Sequence, residues 1–489
     1  MGVYHRIKSV FRGPDEFDLT SGSIGKPLFF LAMPIVITNL FQTAYNLADT
    51  FWLGQYDTDA LAAISFAFPM VFLLISLGMG ISVAGSVLVA QYTGANKERE
   101  AEYAASQTVT FAVLVSIVLG VIGYFSVETF LSVMGASTDV LPLATSYMEV
   151  ISLGLLFMFG FAVFVSLMRG YGDTITPMLV MFGSVVFNII LDPFLIFGWT
   201  VVQDAPLVGT VGFPELGIEG AAIATVFSRA LALVVGLAIM FRGNRGVQIH
   251  LRDMAPDRTY LRRLVRIGAP ASVEGMGRAL SMNLLLVIVA LFPDTVVAAY
   301  GIGTRVFSVV FLPAIAIARG VETMTGQNVG ADKPDRAERA AKLSATVLFI
   351  ILSVVGVLVW FTAAPIAGLF TTDPAVVEIT SQFLRYVALT FGFIGIMRAY
   401  TGSFRGAGKT LIAAALSVLM FGLIRFPIAW FAADPLGETG IWLSFAVSNV
   451  VGAVITYAWY QRGTWREGDL TEGKVDLDRT TVDASSGGD

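Results

Sequence analysis

The sequence predicts an all-α integral membrane fold of twelve transmembrane helices, built as two pseudo-twofold-related six-helix bundles. Three observations carry this reading. The 489 residues are 56% apolar and 14% charged, with a mean hydropathy of +0.76, too little polar surface for a soluble fold of this length. The apolar residues fall into twelve runs, each near the roughly 20 residues that a membrane-crossing helix needs. The two halves of the chain also resemble each other.

In chain order the runs lie at about 27–53, 60–91, 102–126, 142–169, 175–198 and 219–241, then 266–292, 296–326, 340–362, 378–404, 410–432 and 440–461. Charge checks the count. Alternate loops hold acids such as Asp57, Asp59, Glu128, Asp139, Asp294 and Asp434 with no Lys or Arg, whereas the opposite loops hold Lys97, Arg99, Arg242, Arg263, Lys333, Arg336 and Lys409. Every loop then obeys the positive-inside bias, with both termini cytoplasmic in a multi-pass protein of the cell membrane. Five segments follow: a cytoplasmic lead over 1–26, the first bundle over 27–241, a linker over 242–265, the second bundle over 266–461 and an acidic, disordered tail over 462–489.

Sliding the chain by 236 residues sets Pro34 on Pro270, Gln91 on Gln327, Gly94 on Gly330, Arg169 on Arg405 and Gly172 on Gly408. Past the fifth run the offset drops to 220, so the first half carries a 16-residue insertion in the outer loop before its sixth helix. Because six is even, the halves enter the membrane in the same direction, about an axis along the membrane normal. Two such bundles suit a transporter that exposes a central site alternately to either side.

Most other classes are excluded by composition. A net charge of -5 without a clustered basic face argues against nucleic acid as a partner. With no Cys and only His5 and His250, thiolate and histidine metal chemistry is absent. HExxH and GxSxG do not occur, so no enzyme is expected, and neither is a cofactor or an obligate protein partner. RGAGKT at 405–410 has Ser403 where a phosphate-binding loop needs Gly, and lies between two membrane helices.

The chemistry-bearing residues sit in the first bundle. Asn39, Gln42, Asn46 and Asp49 share one face of the first helix, with Tyr45 a turn before Asp49; Asn188 and Asp192 share a face of the fifth, and the sixth supplies Thr225. A carboxylate near mid-membrane costs about 2.5 to 3.5 kcal/mol, so two of them require a proton, a cation or hydrogen bonds. Two acids can share one proton, and carboxylates with an amide and a hydroxyl form an all-oxygen set for sodium. Pairing with Arg229, Arg278, Arg305, Arg319, Arg385, Arg398 or Arg425 is the structural alternative. The second bundle has Leu285, Ile424, Ile428 and Phe445 at the matching positions. Glu274 and Arg278, at i and i+4, read as a neutralising pair.

With the MP...N...D pattern of the first helix, the RGxGDTxTPM turn and NxxxDP in the fifth, the chain resembles the multidrug and toxic compound extrusion (MATE) family, and within it the prokaryotic branch named after the DNA-damage-inducible F protein (DinF-like). The resemblance covers about residues 26 to 463. It implies an antiporter that exports organic cations, drugs or other amphipathic compounds against proton or sodium entry, with membrane lipid around it. It implies that Asp49, Asn188, Asp192 and Thr225 form the cation-coupling site, with Tyr45 nearby and Pro34 as a bending point. The cleft should then be lined by aromatic and Met side chains with few charges. A lipid-linked oligosaccharide or polysaccharide flippase is the alternative, to be told by whether Arg278, Arg305, Arg319 and Arg398 converge on the cleft.

Overall fold

The computed structural model describes residues 18–205 and 209–471. Residues 1–17 of the expected lead and 472–489 of the expected tail lie outside the described residues.

Proline and glycine set the breaks in an otherwise helical chain. The first bundle comprises α1 (Gly25–Tyr56), α2 (Thr58–Gly94), α3 (Glu98–Val133), the pair α4 (Val140–Leu153) and α5 (Leu155–Tyr171), α6 (Ile175–Ile196) and α7 (Gly217–Arg242). The second comprises α8 (Arg258–Val289), α9 (Asp294–Val310) with α10 (Leu312–Gly330), α11 (Pro334–Gly368), α12 (Pro374–Ala388) with α13 (Phe391–Gly406), α14 (Thr410–Val418) with α15 (Phe426–Leu436), and α16 (Glu438–Gln461). A π-helical stretch, Leu419–Arg425, joins α14 to α15. Among the described residues nine helices, α14 to α15 taken as one, are long and apolar enough to cross a membrane, and the bent pairs α4/α5 (53°), α9/α10 (41°) and α12/α13 (51°), each taken as one span, bring the count to twelve. The bend at Gly154 follows from close packing, since a Cβ there would lie 2.2 Å from Val226 on α7.

The 16-residue insertion departs from the all-helical expectation. It folds as an antiparallel hairpin, β1 (Trp199–Ala205) and β2 (Gly209–Phe213), with Trp199 opposite Phe213. Trp199 and Phe213 both sit beside Phe194 of α6, at ring-centroid distances of 4.9 and 6.2 Å.

The repeat is physical as well as textual. Gly172 and Gly408, matched by the 236 offset, both take left-handed backbone, at φ 111° and 72°, a conformation open to a residue without a Cβ. Asn96 and Asp332, also matched, both adopt positive φ (57° and 56°) with different side chains. Across the pseudo-twofold axis, Gln91 donates to the Gly406 carbonyl at 3.0 Å and Gln327 to that of Gly170 at 3.2 Å. A Cβ on Gly94 would lie 1.9 Å from the Gln327 carbonyl oxygen, and one on Gly330 1.9 Å from that of Gln91. These matched contacts clamp the bundles together at the end bearing the basic loops and both described chain ends, hereafter the basic end. Further in, Gly80 of α2 and Gly268 of α8 pack backbone to backbone, and Ser272 donates to the Leu77 carbonyl at 2.9 Å.

The tail corrects an expectation. Its acidic composition suggested disorder from Arg462 on, yet the described part of it, up to Thr471, is packed. Trp465 is buried against Tyr460, the rings 4.9 Å apart and stacked, and its indole donates to the Tyr460 carbonyl at 3.2 Å. Gln91 donates to the Gly468 carbonyl and accepts from the Leu470 amide, while Arg263 holds the Leu470 carbonyl. One aromatic anchor and paired backbone groups thus outweigh the polar composition. Trp465→Ala should lower the unfolding free energy by about 3 kcal/mol, read as a lower melting temperature of the purified protein in detergent.

Candidate functional site

Buried apolar side chains form one large core in the second bundle, beside a small cluster of Met397, Met420 and Phe421, but two large ones in the first. The seam between those two falls where polar residues interrupt the helices. On α1 it lies between Tyr45 and Leu53, on α6 between Val185 and Ile196, and on α7 beyond Ala222. Asp49, Asn188, Asp192 and Thr225 fill it, and Asp49 is 6% and Asp192 0% exposed. At about 1.5 Å per residue, Asp49 is roughly 10 Å from the end of α1 and Thr225 roughly 12 Å from the start of α7. The site therefore sits toward the acidic end.

Helical spacing aims these groups at one another. Asn188 donates to Asp192 Oδ1 at 3.0 Å, the Tyr45 hydroxyl donates to Thr225 Oγ1 at 2.6 Å, and the Asp49 and Asp192 carboxyls face each other within hydrogen-bond reach. Two carboxylates cannot hydrogen-bond unless one carries a proton or a cation lies between them. Asp49 Oδ1, Asp192 Oδ2 and Asn188 Oδ1 are all buried without a donor, which gives the pocket unused oxygens for a small positive ion. Among the described residues no arginine lies within ion-pair distance of either acid, although the Arg229 charge acts on Asp49 from further off.

The surrounding face is mixed. Arg229 donates to Gln42 Oε1 at 2.8 Å and lies over the Tyr45 and Phe161 rings at 4.9 and 5.4 Å. It belongs to the pocket wall. An Arg one turn after Thr225 was the available signal. Gln42 also donates to Asn46, which is exposed, and Asn39 keeps a buried amide nitrogen without an acceptor. Pro34 is remote from the acids. It lies inside an unbroken α1, and the Phe30 carbonyl four residues before it, which proline cannot bond, accepts from the Thr174 hydroxyl at 3.5 Å.

A second polar site lies between the bundles, toward the basic end. Glu274 pairs with Arg405 at 3.1 Å and accepts from Ser417 at 3.1 Å; Glu322 pairs with Arg405 at 3.1 Å and Arg319 at 3.0 Å. The expected Glu274–Arg278 pair does not form, because Glu274 turns inward to a guanidinium 131 positions along the chain. Arg278, Arg319 and Arg398 converge with Arg405 on a cavity of about 110 Å³, whereas Arg305 is exposed on α9. The cleft is therefore charged, contrary to the aromatic and Met lining expected, since α8, α10 and α13 each bring arginines to one opening. Glu322 escaped the sequence reading, although a Glu three residues after Arg319 in an apolar run was its signal.

Two duplicated helical bundles around a central cavity, with buried carboxyls inside one of them, define a membrane transporter. The MatE family model matches residues 34–194 and again 270–431, two stretches whose starts differ by the repeat offset. The chain belongs to the MatE family of efflux transporters. It is 28% identical to a protein named FAD transporter from Shewanella oneidensis, over 92% of this chain and 97% of that one. It is also 28% identical to the probable multidrug resistance protein YoeA of Bacillus subtilis, over 92% and 96%. A solved structure described as an outward-facing conformation of a multidrug resistance MATE transporter shares the fold, with a TM-score of 0.83 at 23% identity over 92% and 98% of the two chains.

Proposed function

We propose that this protein exports small amphipathic molecules in exchange for protons or sodium ions entering the cell, with its basic end in the cytoplasm of the host and its spans in the cell membrane. The observation that carries the proposal is the Asp49–Asp192 contact, buried in a seam of the core with oxygens to spare and no arginine within ion-pair distance. A proton or sodium held there by Asp49, Asp192, Asn188 and Thr225 offsets the desolvation of the acids. Loss of that ion leaves like charges facing each other, which favours a different packing of α1 against α6 and α7. Capture and release can drive transport only if the ion prefers one conformation. The clamp at Gly94 and Gly330 corresponds in this reading to a state closed toward the cytoplasm and open outward.

Names of the relatives, drug exporters and one FAD transporter, support small-molecule cargo of differing charge. The lipid-linked oligosaccharide or polysaccharide alternative is favoured by the convergence of Arg278, Arg319 and Arg398 on the cavity. Proteoliposomes given proton and sodium gradients separately test the main reading. Dye efflux driven by at least one gradient is expected, and absence of gradient-driven flux for every dye in a cationic and anionic panel overturns it.

A further inference from the structure

The cavity between the bundles holds more positive charge than its acids neutralise. Arg278, Arg319, Arg398 and Arg405 line it with Glu274, and Glu322 pairs with Arg319 and Arg405, so among the described residues four cations against two anions leave two positive charges unmatched. Both glutamates are already engaged, by Arg405, Arg319 and Ser417. Among the described residues the Arg278 side chain has no hydrogen-bond or ion-pair partner, and Arg398 Nε is buried without an acceptor. A network serving only to hold helices together would match its charges, because an unpaired guanidinium within the membrane is costly.

We propose that this cavity binds the phosphoryl group of an amphipathic anionic cargo. The inference rests on the export reading above and names its substrate class, narrowing the organic cations, drugs or other amphipathic compounds that the family resemblance implied. Planar guanidinium forks give paired donors to tetrahedral oxyanions, and Arg278 and Arg398 present such forks unused beside Arg319. A doubly charged phosphoryl group offsets the surplus. Met79, Val83, Ala271 and Ile315 line the same opening and give an apolar chain a surface to lie on. At about 1.5 Å per residue, Arg319 is roughly 16 Å and Arg398 roughly 12 Å from the basic ends of their helices, so this site lies on the opposite side of mid-membrane from the acids.

Equilibrium binding to the full-length protein in phosphatidylcholine nanodiscs, without an ion gradient, tests this. The probes are dodecyl phosphate, inorganic phosphate and dodecyltrimethylammonium. Dodecyl phosphate is expected to bind saturably, the ammonium compound not to. Arg278→Gln and Arg398→Gln should each weaken dodecyl phosphate binding by about tenfold, Arg→Lys at either position by less, and Arg305→Gln not at all. Because Arg278 is half-buried without an ion-pair partner, Arg278→Gln should also raise the melting temperature of the ligand-free protein, which a structural arginine would not do. Adding phosphatidic acid to the discs separates sources: competition by the lipid assigns the group to a membrane lipid, and competition by inorganic phosphate alone assigns it to a soluble ester. Equal binding of the ammonium compound, failure of dodecyl phosphate to bind, or unchanged affinity in both Gln variants overturns the proposal. Asp49→Asn, which disables only the ion site, should retain dodecyl phosphate binding, so a failure of ion coupling and a failure of anion binding are read independently.

Discussion

Asp192→Asn should abolish ion-driven efflux while leaving the folded protein at least as stable as the parent. Asp192 is fully buried, faces Asp49 and takes one hydrogen bond from Asn188. An amide at 192 removes a carboxyl whose insertion costs about 2.5 to 3.5 kcal/mol, and its NH2 can donate to Asp49 permanently. That donor does what the exchangeable proton or cation does, but cannot leave. The pocket is then fixed in its occupied form, and the same energy corresponds to about a hundredfold loss of coupling. Efflux in vesicles under each gradient, with melting temperature measured beside it, checks the result. Parent-level efflux under both gradients in a normally inserted Asp192→Asn protein would remove the site from the mechanism.

Gly94→Val and Gly330→Val should each force the basic end apart. The added Cβ would meet a backbone carbonyl oxygen at 1.9 Å, and backbone cannot rotate aside as a flexible side chain can. Overpacking of this kind costs about 1 to 3 kcal/mol, enough to invert the populations of two conformations of similar energy. The chain contains no Cys, so one introduced thiol reports accessibility without background. Val83→Cys lines the cavity between the bundles. Its labelling by a membrane-impermeant maleimide should shift from the acidic side in the otherwise unchanged protein to the basic side in either Gly variant. Unaltered sidedness in both would show that the clamp does not govern access.

Much of this architecture was legible because membranes force regular solutions. A helix interior to lipid must satisfy its own backbone, so run length sets the spans, and a duplication kept without gaps across its first five spans marks the clamp residues Gln91, Gly94, Gln327 and Gly330. The acidic pocket was legible for a related reason: polar residues at helical spacing in apolar runs have few places to go. Tertiary choice was not legible. Glu274 could reach Arg278 one turn away, but a buried carboxylate gains more from Arg405 together with Ser417 than from one flexible neighbour, and only folding brings these three together. The hairpin in the inserted loop and the packed tail escaped for similar reasons, since Trp199 and Trp465 find aromatic partners that composition does not announce.

Arg425 gives the second bundle a different fate from the first. Its guanidinium bonds Ser448 and Asn449 at 2.9 and 2.8 Å and lies over the Phe421 and Phe445 rings at 4.8 and 4.3 Å, beside the positions that correspond to the acids of the first bundle. A tethered charge of this sort never dissociates. Under the proposed ion exchange, turnover stoichiometry and sensitivity to membrane voltage would be set by one half of the duplication alone, with its twin a permanently charged counterweight, free to diverge around its cargo.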